Sequence, residues 1–257
     1  SDQKRIIEDL LVKGVSGIAV SPIDPKNQTP FLDKVSARTH LITHDSDAPE
    51  SARLCFVGVD NYEAGVLCGE LVKEALPSGG KIAIFVGRME QDNARLRRQG
   101  LLDTILGQER GVDAYEDASA VTRGNGVESV GSLTDQFGMA RGQANVEDIL
   151  SKHSDIAGCV GLFAYNPPLI LEALEQSGRI SEVKVIGFDE DERTLQGIID
   201  GTVHGTVVQN PYEYGARSVA ILKALAGGDK GVIPPGGIVN VPARINRRAE
   251  AEAFRED

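Results

Sequence analysis

At 257 residues the chain is long enough for one to two compact units, which excludes a peptide hormone or a disulfide mini-protein. Hydrophobic residues at 41% and charged residues at 25% match globular averages, and 29 Gly with 11 Pro are too few and too scattered for a collagen-like or low-complexity chain. With 27 Lys+Arg against 38 Asp+Glu the formal charge is -11, which repels a phosphate backbone, so no nucleic-acid partner is expected.

In chain order, residues 2–13 read as a helix with Ile6, Ile7, Leu10 and Leu11 on one face. Strands are predicted at 15–20, 39–43 and 53–59, then a helix at 61–76 with Ala64, Leu67, Cys68, Leu71, Val72 and Ala75 on one stripe, Asp60 as N-cap and Pro77 as its stop. A strand at 81–86 follows, then a weaker pair at 112–115 and 127–132, and a strand at 156–163. A helix at 166–177 tolerates Pro167 and Pro168 in its first turn and closes at Gly178. Strands at 183–187, 203–209 and 237–241 complete the pattern. Several of these runs are apolar throughout, as strands covered on both faces must be. The repeat of strand, loop and helix predicts an α/β fold with parallel sheets. A chain of this kind that opens on a helix reads as lacking its first N-terminal βαβ segment; a fold that begins with a helix is the alternative.

Cys55, Cys68 and Cys159 are an odd set without C-x-x-C spacing, and they read as buried small hydrophobes rather than a disulfide or reactive thiol. His40 and His44 are four apart, but in a predicted strand, where that spacing is no helical metal clamp. No metal and no cofactor are expected. There is no G-x-x-x-x-G-K-[ST], no G-x-S-x-G, no H-E-x-x-H and no G-x-G-x-x-G after a strand, so catalysis is not expected either.

Ligands of open parallel sheets sit beyond the carboxyl ends of the strands. The residues there are polar: His44-Asp45-Ser46-Asp47, the run Gly87 to Arg98, Ala164-Tyr165-Asn166, Asp189-Glu190 and Gln209-Asn210. Carboxylates, guanidinium groups and amides offer paired donors and acceptors in fixed geometry, which suits the hydroxyls of a neutral polyol. Each also has a plainer reading. Asp189 could cap a helix beginning near Glu190, and Arg95, Arg97 and Arg98 could form a solvated face.

The sequence resembles the periplasmic sugar-binding proteins of ABC transporters, of the ribose-binding, type I kind. Its landmarks are Leu41-Ile42-Thr43-His44-Asp45-Ser46-Asp47, Phe56-Val57-Gly58-Val59-Asp60-Asn61 with Ala64-Gly65, Asn93-Ala94-Arg95-Leu96-Arg97-Arg98-Gln99-Gly100, Val185-Ile186-Gly187-Phe188-Asp189, and the run from Gly201 to Pro211. The resemblance implies two doubly wound lobes joined by three crossovers, residues 1–59 and 211–237 in the first, and 60–210 and 238–257 in the second. A monosaccharide or polyol would be held in the cleft between them by hinge closure. It also implies the binding residues. Asp45 matches the first-lobe acid and Arg97 the guanidinium of a second-lobe helix. Phe137 matches a ring that packs on the sugar, and Asn166 an amide after its strand. Asp189 matches the acid of the G-F-D turn and Gln209 an amide near a crossover.

Ser46 stands where ribose-type members carry Arg, which leaves the identity of the sugar open, and the chain has no Trp for stacking. The expected role is the substrate-binding component of an ABC sugar importer, a monomer that delivers its ligand to a membrane permease. That places the protein in the periplasm or outside the cytoplasmic membrane, with or without a lipid anchor, although Ser1-Asp2-Gln3-Lys4 is not a signal peptide. The inducer-binding core of a lac-repressor-type regulator and a receptor for a sugar-like signal are alternatives on the same fold.

Overall fold

A computed structural model describes residues 2–108 and 117–254. The chain runs α1 (Asp2–Val12), β1 (Gly17–Val20), α2 (Pro25–Ser36), β2 (His40–His44), β3 (Phe56–Gly58), α3 (Asn61–Ala75), β4 (Gly80–Val86) and α4 (Asp92–Leu106). It continues through β5 (Thr122–Gly124), β6 (Val127–Thr134), α5 (Met139–Lys152), β7 (Ile156–Gly161), α6 (Asn166–Gln176), β8 (Lys184–Phe188) and α7 (Glu192–Asp200). Last come β9 (Gly205–Val208), α8 (Pro211–Ala226), β10 (Ile238–Asn240), β11 (Arg244–Asn246) and α9 (Arg248–Phe254). The expected strand at 112–115 lies outside the described residues, while β5, β11 and α9 were not legible as periodic runs.

Contacts divide the chain into two units. The first holds residues 1–60, 90–93 and 210–242, and the second 61–89, 94–209 and 243–257. The expected boundary after 237 moves to 242 because β10 pairs with β3, Ile238 opposite Phe56 and Asn240 opposite Gly58, which ties 238–242 to the first sheet.

In the first unit, four parallel strands lie in the order β1-β2-β3-β10. Alternation along each strand sends side chains to opposite faces. Ile18, Val20 and Leu41 pack with Ile7 of α1 and with Leu32 and Val35 of α2, whereas Ile42 and Val57 pack with Ile221 and Leu225 of α8. Both faces are covered, which is why these strands read as apolar throughout.

The second unit holds seven strands in the order β11-β9-β8-β7-β4-β6-β5, parallel in the middle and antiparallel at both edges. Ala83 and Phe85 of β4 face the core formed with α5, α6 and α7, which leaves Ile82, Ile84 and Val86 on the other face, also fully buried. On α3 and α4 the close approach is set by glycines: a Cβ at Gly65 would lie 2.2 Å from the Arg97 carbonyl oxygen, and one at Gly100 2.1 Å from that of Tyr62. These are the Ala64-Gly65 and Gln99-Gly100 landmarks of the sequence. All three cysteines are buried and free, and burial raises the Cys68 and Cys159 thiols to about 12.

Candidate functional site

A ligand site in an open parallel sheet forms where the strand order reverses. In the second unit that point is the carboxyl end of β4 and β7, because β4 is followed on one side by β6 and on the other by β7, β8 and β9. The segments leaving these strands are Gly87-Arg88 after β4, Asp135-Gln136-Phe137 after β6, Leu162-Phe163 after β7, Asp189 after β8 and Gln209 after β9.

Arg97 of α4 is only 1% exposed. Its Nε donates to Asn61 Oδ1 at 2.9 Å, Nη1 to the Leu162 carbonyl at 3.0 Å and Nη2 to Gln209 Oε1 at 2.7 Å. The guanidinium lies 4.6 Å from the Phe188 ring centroid and 5.4 Å from that of Phe163. Dipoles and ring faces, not a carboxylate, hold this buried cation. Of the arginine run, Arg97 and Arg98 are therefore not a solvated face, while Arg95 is half-buried: Arg98 is also 1% exposed, with Nε donating to Ser132 at 2.7 Å and Nη2 to the Asp117 carbonyl at 3.1 Å.

Gln209 continues the row, its Nε2 donating to Asp189 Oδ1 at 2.8 Å. Asp189 has φ of 64°, a left-handed conformation that Asp and Asn tolerate better than other side chains. Its N–H donates to the Val207 carbonyl at 2.8 Å and its carbonyl accepts from Thr206 Oγ1 at 2.9 Å, so the sheet fixes the turn. Asp189 does not cap a helix. Asp191 is the N-cap of α7, accepting the Arg193 N–H at 2.9 Å.

Beside this row stand three rings. Phe137 meets Phe163 edge-on, with centroids 5.8 Å apart and planes at 86°, and lies 6.3 Å from Tyr165. Phe137 remains 38% exposed. The rings are organised by Asp135, which is 2% exposed and accepts the Phe137 N–H at 2.8 Å, the Tyr165 hydroxyl at 2.7 Å and Asn166 Nδ2 at 3.3 Å. Burial, then the bond to Asp135, pushes the Tyr165 hydroxyl well above its ordinary range. Asn166 Oδ1 accepts the Phe163 N–H at 3.0 Å, so this amide brackets the start of α6.

In the first unit Asp45 follows β2 with φ of 62°; its N–H donates to the Val57 carbonyl at 3.1 Å and its Oδ2 accepts from Ser21 Oγ at 2.9 Å. Next to it Asp47 is bound by Thr43, the Ala48 N–H and Arg53, a brace for the loop between β2 and β3. Burial lowers the pKa of His44, with Asp45 acting in the opposite sense.

Among the sequence-predicted residues, Arg97, Gln209 and Asp189 thus form one hydrogen-bonded row. Phe137 and Asn166 gather on Asp135, and Asp45 stands in the first unit with Ser21. Sequence reasoning missed Asp135 and Phe163, and it placed Arg88 and Asn61 only within longer runs without singling them out. Asp135 carried a local signal, as an Asx-turn former between a strand and Phe137-Gly138.

The family described as the periplasmic binding protein domain matches residues 1–230 of this sequence. The chain belongs to that family. A D-ribose/D-allose-binding protein of Pseudomonas aeruginosa is 24% identical over 255 residues, covering 95% of this chain and 74% of that protein. Among solved structures, an ABC transporter solute-binding protein of Burkholderia graminis in complex with D-arabinose is 27% identical with a TM-score of 0.84, covering 96% of this chain and 80% of that one. A glucose-galactose binding protein of Geobacillus stearothermophilus is 25% identical with a TM-score of 0.84, covering 96% and 81%. For a periplasmic binding protein the strand-end position of this polar and aromatic cluster is where a ligand is expected.

Proposed function

We propose that the protein is the substrate-binding component of an ABC-type sugar importer and captures a monosaccharide or polyol without making or breaking a bond. The observation that carries this is the row Arg97–Gln209–Asp189 ending in a carboxylate oxygen that no described residue engages, beside the exposed ring of Phe137. A sugar hydroxyl donates to such an oxygen, and a sugar ring places its C–H face on an aromatic side chain. Asp45 supplies the acid of the first unit in this reading, and Asn166 acts by holding Phe163 and Asp135 in place. The relatives named for ribose, allose, arabinose, glucose and galactose support an aldose-sized ligand. Ser46, where ribose-type members carry Arg, argues against ribose itself.

The test is a thermal-shift panel of aldoses and polyols followed by calorimetry. A ligand at 100 times its Kd adds about 2.7 kcal/mol to stability, so one or a few members of the panel should raise Tm clearly. Recovery of the sugar unchanged after incubation is expected; an altered sugar overturns binding without turnover. Delivery to a membrane permease is part of the proposal, as is action as a monomer, which light scattering of the ligand-bound protein checks.

A further inference from the structure

Arg88 belongs to the strand-end cluster but has no role in the row just described. It is the second residue after β4, at the carboxyl end of a strand where the strand order reverses. Its guanidinium carbon lies 5.5 Å from the centroid of the Phe137 ring. The side chain is partly buried, and its Nε is shielded from solvent with no hydrogen-bond partner among the described residues. Arg98, one of the other buried arginines of this unit, has its Nε satisfied by Ser132, and Arg97 has all three nitrogens engaged. Leaving a shielded donor of a charged group unsatisfied is costly, and the cost disappears if a ligand brings the acceptor.

The surroundings say what acceptor that would be. A ring 5.5 Å from the guanidinium carbon favours the cation and leaves its planar fork of N–H groups, along its edge, to meet an acceptor. That edge matches two oxygens held in one plane, the geometry of a carboxylate, better than single hydroxyls pointing in different directions. Gly87 favours this placement: a Cβ at this position would lie 2.4 Å from Phe137 Cε1, so a larger residue would have to displace the ring. Phe137 in turn packs on Phe163, and the Arg97 guanidinium lies 5.4 Å from the Phe163 centroid. The aromatic pair is thus flanked by two guanidinium groups, and neither is neutralised by a carboxylate of the described residues. The single acid of this row, Asp189, is held by an amide.

We infer that Arg88 is a specificity-determining residue and that the ligand is a monosaccharide bearing a carboxylate, a uronic or aldonic acid, whose hydroxyls meet the Arg97–Gln209–Asp189 row while its carboxylate meets the edge of Arg88. This rests on the sugar-binding reading above and narrows its substrate class.

Calorimetry on the full chain with D-glucuronate, D-galacturonate and D-gluconate, each beside D-glucose, D-galactose and sorbitol, tests it. At least one acid should bind ten- to a hundred-fold more tightly than its neutral counterpart, the range expected of a charge-assisted bidentate contact. Arg88→Gln should remove that preference, the acid losing more affinity than the neutral sugar, and Arg88→Lys should keep only part of it, because an ammonium lacks the planar fork. Added salt should weaken the acid's binding to the wild type more than to Arg88→Gln. Tight binding of a neutral sugar with weaker binding of its acid overturns the inference and leaves the sugar-binding reading standing. Equal losses for acid and neutral sugar in a folded Arg88→Gln protein overturn it too, since they mark a packing role. Binding of neither class overturns the sugar-binding reading itself.

Discussion

Asp189→Asn separates the conformational work of this residue from its chemical work. The backbone at 189 has φ of 64°, and of the side chains that could replace aspartate, asparagine enters that region most readily. The N–H to Val207 and the carbonyl to Thr206 are main-chain groups that the substitution leaves in place. Oδ1 remains an acceptor for Gln209 Nε2, and the cap of α7 is Asp191. Stability without ligand should therefore change by less than about 0.5 kcal/mol, as for substitutions that keep packing and hydrogen bonds. Binding should change far more. The free carboxylate oxygen becomes an NH2 donor, which turns a hydroxyl acceptor into a mispaired group and removes the charge that made the bond strong; a loss of about 1.5–3 kcal/mol, ten- to a hundred-fold in Kd, follows. Asp189→Ala is the control of opposite character. It adds about 1–2 kcal/mol of left-handed strain and removes the carboxylate that accepts from Gln209 Nε2, so it should lower Tm as well as affinity. Melting followed by differential scanning calorimetry, with titration calorimetry on the best sugar of the panel, reads both quantities. An asparagine variant that melts like the wild type and binds with the same Kd refutes a ligand role for Asp189.

Burial lowers the pKa of His44 from its ordinary 6.5, so the unfolded chain takes up the proton first as pH falls; the stability tied to the neutral side chain is complete above 6.5 and lost as pH drops through the folded value. Urea midpoints from about pH 7 to about pH 5 should fall more steeply for the wild type than for His44→Gln, and parallel curves refute the assignment. With thiols raised to about 12, Cys68 and Cys159 should resist iodoacetamide at neutral pH in the folded protein and react once it is denatured, which peptide mass spectrometry reads residue by residue. Gly100→Ala would press a methyl group against the Tyr62 carbonyl oxygen at 2.1 Å and the Val66 nitrogen at 2.9 Å, both backbone atoms that cannot swing away. A loss of about 1–3 kcal/mol in urea unfolding is expected, together with weaker sugar binding through displacement of Arg97; an unaffected midpoint refutes the close approach of α3 and α4.

The elements that carried a period were legible. Runs such as Leu41-Ile42-Thr43 and Val185-Ile186-Gly187-Phe188 announce strands buried on both faces, and the same runs put Asp45, Asp189 and Gln209 at strand ends without any distance. What escaped was of two kinds. The edge strands Thr122–Gly124 and Arg244–Asn246 are three residues each and pair antiparallel with longer neighbours, so their place is set by the partner and not by their own pattern. The supporting residues of the cluster escaped because their role is set by contact across the fold. Nothing near Asp135 in sequence says that it will collect Tyr165 and Asn166 from thirty residues on, and nothing near Arg97 says that Leu162 and Gln209 will accept hydrogen bonds from it. The plainer alternative for the arginine run, a solvated face, fails at Arg97 and Arg98 for the same reason: a run of charge with helical spacing looks solvated until the glycines that bring α3 against α4 are seen in place.

Asp45 and Asp189 show that the two units repeat one local device. Each is the first residue beyond a parallel strand, each has positive φ, and each gives its N–H to the carbonyl of a residue in the adjacent strand, Val57 or Val207. Each also has one carboxylate oxygen held by a single polar side chain, Ser21 or Gln209, with the other oxygen unengaged by any described residue. If the turn alone were the requirement, glycine would meet it without strain. Both positions instead carry a carboxylate at a conformational cost of about 1 kcal/mol or more apiece, and helix capping offsets none of that cost at Asp189, because Asp191 does that work. A strained backbone at a strand end points to function when the surrounding structure over-determines it, as the paired main-chain bonds at Asp189 do. The recurrence of that strain under two acids, each with an acceptor left over, is the physical reason to read both as hydroxyl-binding groups rather than as turn formers.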